Sequence, residues 1–259
     1  MLLSSIIRKA ALALGVASVL YSPAAMAESS QFEFALGGSL GVAPEYQGAG
    51  SYGLDVGGNF RFTNLQLGGV TLAESDGWRD SAGFAISPTL RLISPRRAND
   101  HADLAGTNDI SRALELGARA QFTTDDWQVY ATLRRGVRGH RGWSGEAGFN
   151  GFFAASDALT LSAGPRVEFG NARYQRTYFG VTAGEVAASG MREYTPGSGI
   201  HAAGLALGAL YEISPQWAIT GELEYMNLTG PARNSPIVAR GSRSQIGARV
   251  GVVHRVSLF

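Results

Sequence analysis

Apolar residues recur at every second position through residues 244–258. Ile246, Ala248, Val250, Val252, Val256 and Leu258 share one parity, and Gln245, Gly247, Arg249, Gly251 and Arg255 take the other. A strand sends successive side chains to opposite faces, so such a segment has one greasy side and one polar side. The same alternation runs through 112–123, where Leu114, Leu116, Ala118, Ala120 and Phe122 oppose Glu115, Arg119 and Gln121. It also runs through 126–136 (Trp127, Val129, Ala131, Leu133) and 157–169 (Leu159, Leu161, Ala163, Val167, Phe169). No window sustains a period of 3.6 residues, which rules out a helical or α/β fold.

The pattern predicts strands near 32–42, 52–60, 80–92, 112–123, 126–136, 143–153, 157–169, 200–211, 216–228 and 244–258. Their connections alternate in length. Thr124-Asp125, Ala155-Ser156 and Ser214-Pro215 are tight turns, whereas 93–111, 137–142, 170–199 and 229–243 are longer polar loops. Outer-membrane barrels have short inner turns, long outer loops and both termini inside. That parity requires two further strands, and residues 61–75, hinged at Gly68-Gly69, can supply them. The expectation is an all-β, antiparallel transmembrane barrel of about twelve strands.

The N-terminus fits that destination. Arg8 and Lys9 precede a short apolar run, Ala10 to Leu20, and Ala25-Met26-Ala27 offers a small-x-small cleavage site. The run is shorter than the roughly 20 residues a spanning helix needs. Residues 1–27 are therefore expected to be a signal peptide cleaved after Ala27, and 28–259 one barrel domain. With no cysteine there is no disulfide framework and no thiolate metal site. A mean hydropathy close to zero suits alternating lipid-facing and lumen-facing residues. The 35 glycines suit barrel bends and close packing in a lumen.

A net charge of +1 gives no electrostatic footprint for nucleic acid. The only lysine is Lys9 in the signal, so every other basic residue is arginine. Arginine binds phosphate bidentately, and Arg134, Arg135, Arg138 and Arg141 fall where a strand meets an outer loop, a candidate contact for lipopolysaccharide. A solvated loop, or codon bias alone, accounts for the same residues. Glu115, Arg119, Arg134, Glu146, Arg166, Glu168, Glu222, Glu224 and Arg249 have inward parity and could pair across the lumen, leaving a narrow passage at most. A selective channel would use the same set. Aromatics near strand ends (Tyr46, Tyr52, Trp78, Trp127, Trp143, Phe153, Tyr178, Phe179, Tyr211, Trp217 and Tyr225) read as headgroup girdles.

Catalytic chemistry finds little footing. His101, His140, His201 and His254 form no metal pair, and there is no nucleophile elbow. A rim hydrolase would need His140 with Asp125 or Glu146; a solvated loop histidine is the simpler reading. No catalytic, metal or cofactor-binding residue is assigned.

Three segments carry a family likeness. Gly41-Val42-Ala43-Pro44-Glu45-Tyr46-Gln47-Gly48 resembles the opening motif of the MipA/OmpV family of outer-membrane proteins (MltA-interacting protein). Tyr174-Gln175, Thr177-Tyr178-Phe179-Gly180-Val181 and Ala187-Ala188-Ser189-Gly190 are similar to that family's long loop. Ser235-Pro236-Ile237-Val238, followed by Gly241-Ser242-Arg243-Ser244-Gln245, resembles its last loop and strand entry. The resemblance implies a β-barrel in the outer membrane. In the best-known members it also implies a scaffold joining a lytic transglycosylase (MltA) to a peptidoglycan synthase, with no catalytic residues to carry over. The expectation for this chain is a monomeric, non-enzymatic scaffold of that kind. Other members are linked to osmotic adaptation, adhesion or uptake of small compounds. One departure is Phe259, a residue out of phase with Val256 and Leu258, which implies a shifted assembly signal.

Overall fold

The computed structural model describes residues 32–67, 70–76 and 78–258. Residues 1–27 with the cleavage site, the Gly68-Gly69 hinge and Phe259 lie outside these. The strands are β1 (Phe32–Pro44), β2 (Tyr52–Leu67), β3 (Val70–Asp76), β4 (Arg79–Asp80), β5 (Gly83–Ile93), β6 (Ala113–Thr123), β7 (Trp127–Arg138), β8 (Trp143–Ala154), β9 (Leu159–Gly170), β10 (Gly199–Glu212), β11 (Trp217–Leu228) and β12 (Ser244–Leu258). They form one antiparallel sheet in the order β4-β3-β2-β1-β12-β11-β10-β9-β8-β7-β6-β5, so the first and last long strands are neighbours. Ten strands are long; β3 has 7 residues and β4 has 2. The sheet curls until β3 lies beside β5, and among the described residues no hydrogen-bonded ladder crosses that seam.

The expected count of twelve is reached by a different partition. Residues 52–60 and 61–67 are one unbroken strand, because Leu54, Val56, Phe60 and Phe62 keep one parity, and the short β4 makes up the number.

Alternation places side chains as the sequence predicts. Leu40, Leu54, Phe84, Ile86, Leu90, Leu205 and Val250 stand 50–68% exposed on the outside of the sheet, in a belt that only lipid would solvate favourably. Trp127, Phe153, Tyr211 and Trp217 are exposed at the inner edge of this belt, and Tyr52, Trp143 and Tyr225 at the outer edge. His254 also faces outward and packs on Trp217, with ring centroids 4.3 Å apart. Four aromatics of the expected girdle are buried instead: Tyr46, Tyr178 and Phe179 in the outer loops, and Trp78 at the inner mouth. Trp78 Nε1 donates to the Ser214 carbonyl in the β10–β11 turn (3.2 Å), and the Arg255 guanidinium sits 4.9 Å from its ring centroid.

One break in the wall is repaired by a side chain. Pro165 lacks an N–H, and the β8–β9 ladder skips from Gly148↔Arg166 to Gly151↔Ala163. Arg166 fills the gap, donating from one terminal nitrogen to the Phe149 carbonyl (2.7 Å) and from the other to Asn150 Oδ1 (2.5 Å). A membrane-spanning wall must satisfy its backbone internally, and here a guanidinium does it.

Candidate functional site: a lid over a polar lumen

The outer loops are not merely polar connections. Loop 170–199 contains α1 (Ala172–Phe179) and α2 (Ala183–Ser189); loop 229–243 contains α3 (Gly230–Arg233) and α4 (Pro236–Arg240); and loop 93–111 contains two 3-10 turns, Ala98–Asp100 and Ala102–Leu104. Local chemistry starts and stops each. The Asn171 side chain accepts from Tyr174 N–H at the head of α1. Thr182 and Glu185 form a capping box on α2, which ends at Gly190 in the left-handed region (φ 66°). Ser235 caps α4, with Pro236 in its first turn. These helices have eight residues or fewer, too short to show a helical period in sequence.

They pack into a lid with its own apolar core. One cluster joins Ile110, Tyr174, Tyr178, Phe179 and Val238 to Ala202, Met226 and Leu228 on the wall, with Ile93 against it. A second joins Tyr46, Ala49, Ala98, Leu104, Val181, Met191 and Ile237. Tyr174, Phe179, Leu104 and Ile237 are wholly buried, each contributing about 1.5–3 kcal/mol by leaving water. Because these residues come from β5, β10, β11 and four different loops, the lid spans the outer mouth.

The residues of the three family-like segments converge in this lid. Gln47 Nε2 donates to Tyr174 Oη (2.9 Å), and Ser235 Oγ donates to the Phe179 carbonyl (2.8 Å). Gly48 N–H donates to Gln245 Oε1 (3.0 Å). Gly48 has φ +96°, and a Cβ there would lie 2.7 Å from Val238 Cγ2, so both its conformation and its packing demand glycine. Pro44 ends β1, Gly180 ends α1 and Pro236 opens α4.

Below the lid lies a buried polar knot. Glu115, wholly buried, accepts from Arg91 Nε (2.6 Å) on one oxygen and from Ser144 Oγ (2.7 Å) on the other. His140 Nε2 lies 3.0 Å from that second oxygen. Gly142 N–H donates to His140 Nδ1 (3.1 Å), so Nε2 carries the hydrogen that goes to Glu115. His140 therefore pairs with Glu115, and neither sequence candidate reaches it. Asp125 sits in an inner turn at the opposite end, and Glu146 takes the Tyr130 hydroxyl. A nucleophile–base relay would place histidine between serine and carboxylate. Here Ser144 and His140 both address Glu115, an arrangement that ties β5, β6, β8 and the 139–142 connection together. A second tie joins His201 Nε2 to Glu168 (3.2 Å), with Gln175 Nε2 at His201 Nδ1 (3.2 Å). His101 contacts Glu45 (3.3 Å) at the edge of the lid.

Among the described residues, the inward charges that form ion pairs do not pair across the lumen as expected. They pair along the wall, because neighbouring strands are closer than facing ones. Arg249 lies between Asp55 (3.7 Å) and Glu222 (3.6 Å). Arg119 donates to Gln121 (2.9 Å) and Gln128 (3.1 Å) and lies over the Tyr130 ring. An open concavity of about 830 Å³ follows one pairing row through Gly41, Arg249, Glu222, Gly208, Ser162 and Phe152, and outward-parity neighbours such as Leu40, Leu207 and Val250 line it as well. Arg134 belongs to the lumen side, donating to Thr89 Oγ1 (2.9 Å), whereas Arg135, Arg138 and Arg141 are exposed at the rim.

Glu185 makes the lid sensitive to acid. Burial works to raise its carboxyl pKa, but hydrogen bonds from Thr182 and from the Asn108 N–H outweigh it and hold the group below the usual carboxylate range. A depressed folded-state pKa stabilises above the unfolded value of about 4.3, and that stabilisation is lost as pH falls through the folded value. Amide protection at Asn108 and Thr182, taken relative to the intrinsic exchange rate at each pH, should fall over that acid range, and Glu185→Gln should flatten the dependence. Burial pushes the Tyr174 hydroxyl up to about 12, so it stays a neutral hydrogen-bonding group.

Comparison with known proteins settles the family. A family model described as MltA-interacting protein MipA matches residues 36–256. The chain belongs to the MipA family. Together with the lipid-facing belt, membership makes it an outer-membrane protein. No curated protein matches it. Among solved structures, neisserial surface protein A is 9% identical, covering 89% of this chain and 100% of its own, with a TM-score of 0.32. OprG from Pseudomonas aeruginosa is 11% identical (88% and 97%, TM-score 0.27). A bacterial polysaccharide outer membrane secretin is 10% identical (87% and 98%, TM-score 0.41). Similarity this loose transfers no pore, substrate or partner.

Proposed function

We propose that this MipA-family barrel is a monomeric, non-enzymatic scaffold of the outer membrane. In this reading it holds a lytic transglycosylase of the MltA type and a peptidoglycan synthase together at the cell wall. The family match carries the reading. The lid adds support, since a mouth filled by packed loops suits a platform better than a diffusion pore. Partners would dock from the periplasm, on the inner turns 124–126, 155–158 and 213–216, after removal of residues 1–27. Immobilised barrel in detergent should retain both enzymes from purified stocks. Retention of neither would sink the scaffold.

A second reading, passage of small compounds, is favoured by the open concavity of about 830 Å³ along the wall. It requires the lid to open, and conductance separates the two.

A further inference from the structure

The rim at β6, β7 and β8 carries arginines that neither lid nor lumen uses. Arg112 precedes β6, Arg135 and Arg138 end β7, and Arg141 lies in the connection to β8; all four are exposed. They share one corner. Arg135 is in register with Leu116 and Trp143, Arg138 with Leu114, and a Cβ on Gly139 would lie 2.7 Å from the Arg112 carbonyl.

The corner sits directly on the apolar belt. Arg135 has the outward parity of Val129 and Leu133, and its guanidinium lies 5.3 Å from the ring centroid of the exposed Trp143. Leu116, Leu133 and Val137 are 45–51% exposed around it. Among the described residues, none of the four arginines lies within ion-pair distance of a carboxylate. The opposite end of the barrel presents exposed acids, Asp125, Asp126 and Asp157; at the lid end the exposed acids Asp100, Asp109 and Glu193 lie in the loops 93–111 and 170–199. Uncompensated guanidiniums above an apolar surface call for an anion that brings its own hydrocarbon.

We propose that this corner is a binding site for the phosphate groups of lipopolysaccharide in the outer leaflet. Arg135, Arg138 and Arg141 hold the phosphates with Arg112 beside them. Leu116, Leu133 and Val137 support the acyl chains, and Trp143 lies at the sugar level. Several cations spread along one rim match a glycolipid with more than one phosphate better than a phospholipid with a single one. The site is independent of the scaffold role, which uses the other end of the barrel.

The test uses the mature protein in phosphatidylcholine nanodiscs, with binding read by native mass spectrometry and Trp emission. The probes are bisphosphorylated lipopolysaccharide, its dephosphorylated form and phosphatidylglycerol. The combined R135Q/R138Q/R141Q variant should bind the phosphorylated probe roughly tenfold more weakly, and dephosphorylation should weaken wild-type binding as much. R134Q, altered on the lumen side of the same strand, should bind like wild type and shows that losing an arginine does not by itself unfold the barrel. Unchanged binding by the triple variant, or equal binding of phosphatidylglycerol, would overturn the assignment.

Discussion

Replacing Glu115 with alanine is expected to destabilise the barrel by about 3 kcal/mol or more, the usual cost of removing one member of a buried ionic network. Arg91 Nε, Ser144 Oγ and His140 Nε2 share this carboxylate as their acceptor, and it is wholly buried. Its loss leaves donors from two strands and one loop without a partner at the level where the lid meets the wall. The measurement is the urea midpoint for unfolding from lipid vesicles, with wild type, Glu115→Ala, His140→Ala and the double variant compared. Residues in one network should couple, so the double variant should lose clearly less than the sum of the single ones. Strict additivity would show that the knot is not a unit, whatever the single values.

Cutting α1 and α2 out of the lid should turn a barrel expected to be electrically silent into a conducting one. Replacing residues 172–197 with a short Gly-Ser linker removes Tyr174, Tyr178 and Phe179, the centre of the larger lid core, and leaves the strands intact. A milder form is Phe179→Ala, which empties a fully buried site at about 3–5 kcal/mol and should give brief, intermittent openings. Planar bilayers read both. Steady conductance from the wild-type protein would show that the lid does not seal and would favour the permeability reading. Silence after the excision would place the obstruction lower, at Trp78 or among the wall-paired charges.

The two-residue period made the wall legible because one face of every strand meets a uniform solvent. Trp127, Val129 and Leu133 all face outward as their parity dictates, and Thr124-Asp125, Ala155-Ser156 and Ser214-Pro215 are the turns expected of them. The lid was harder to read. Helices of four to eight residues leave no repeat, and their apolar side chains are interleaved with glycine, serine and arginine. Register decides the rest. Glu115 is 25 residues from His140 in sequence, and only the β6–β7 pairing brings it within reach, whereas the nearer Asp125 and Glu146 are carried away. Arg134 and Arg135 are consecutive, yet one strand step separates a lumen cation from a rim cation. The family likeness pointed to the right segments, since Tyr46, Gly48, Phe179 and Ser235 all belong to the lid, but a motif does not say that its parts touch.

The contact between Gly48 and Gln245 spans 197 positions of the sequence. An early loop thus waits, during biogenesis, for the final hairpin before it has anything to rest on. Such distant dependence makes closure a late and slow event. A polypeptide stalled short of its last strand should therefore expose an unfinished crown to surface proteases, and a resistant crown would certify that insertion is complete.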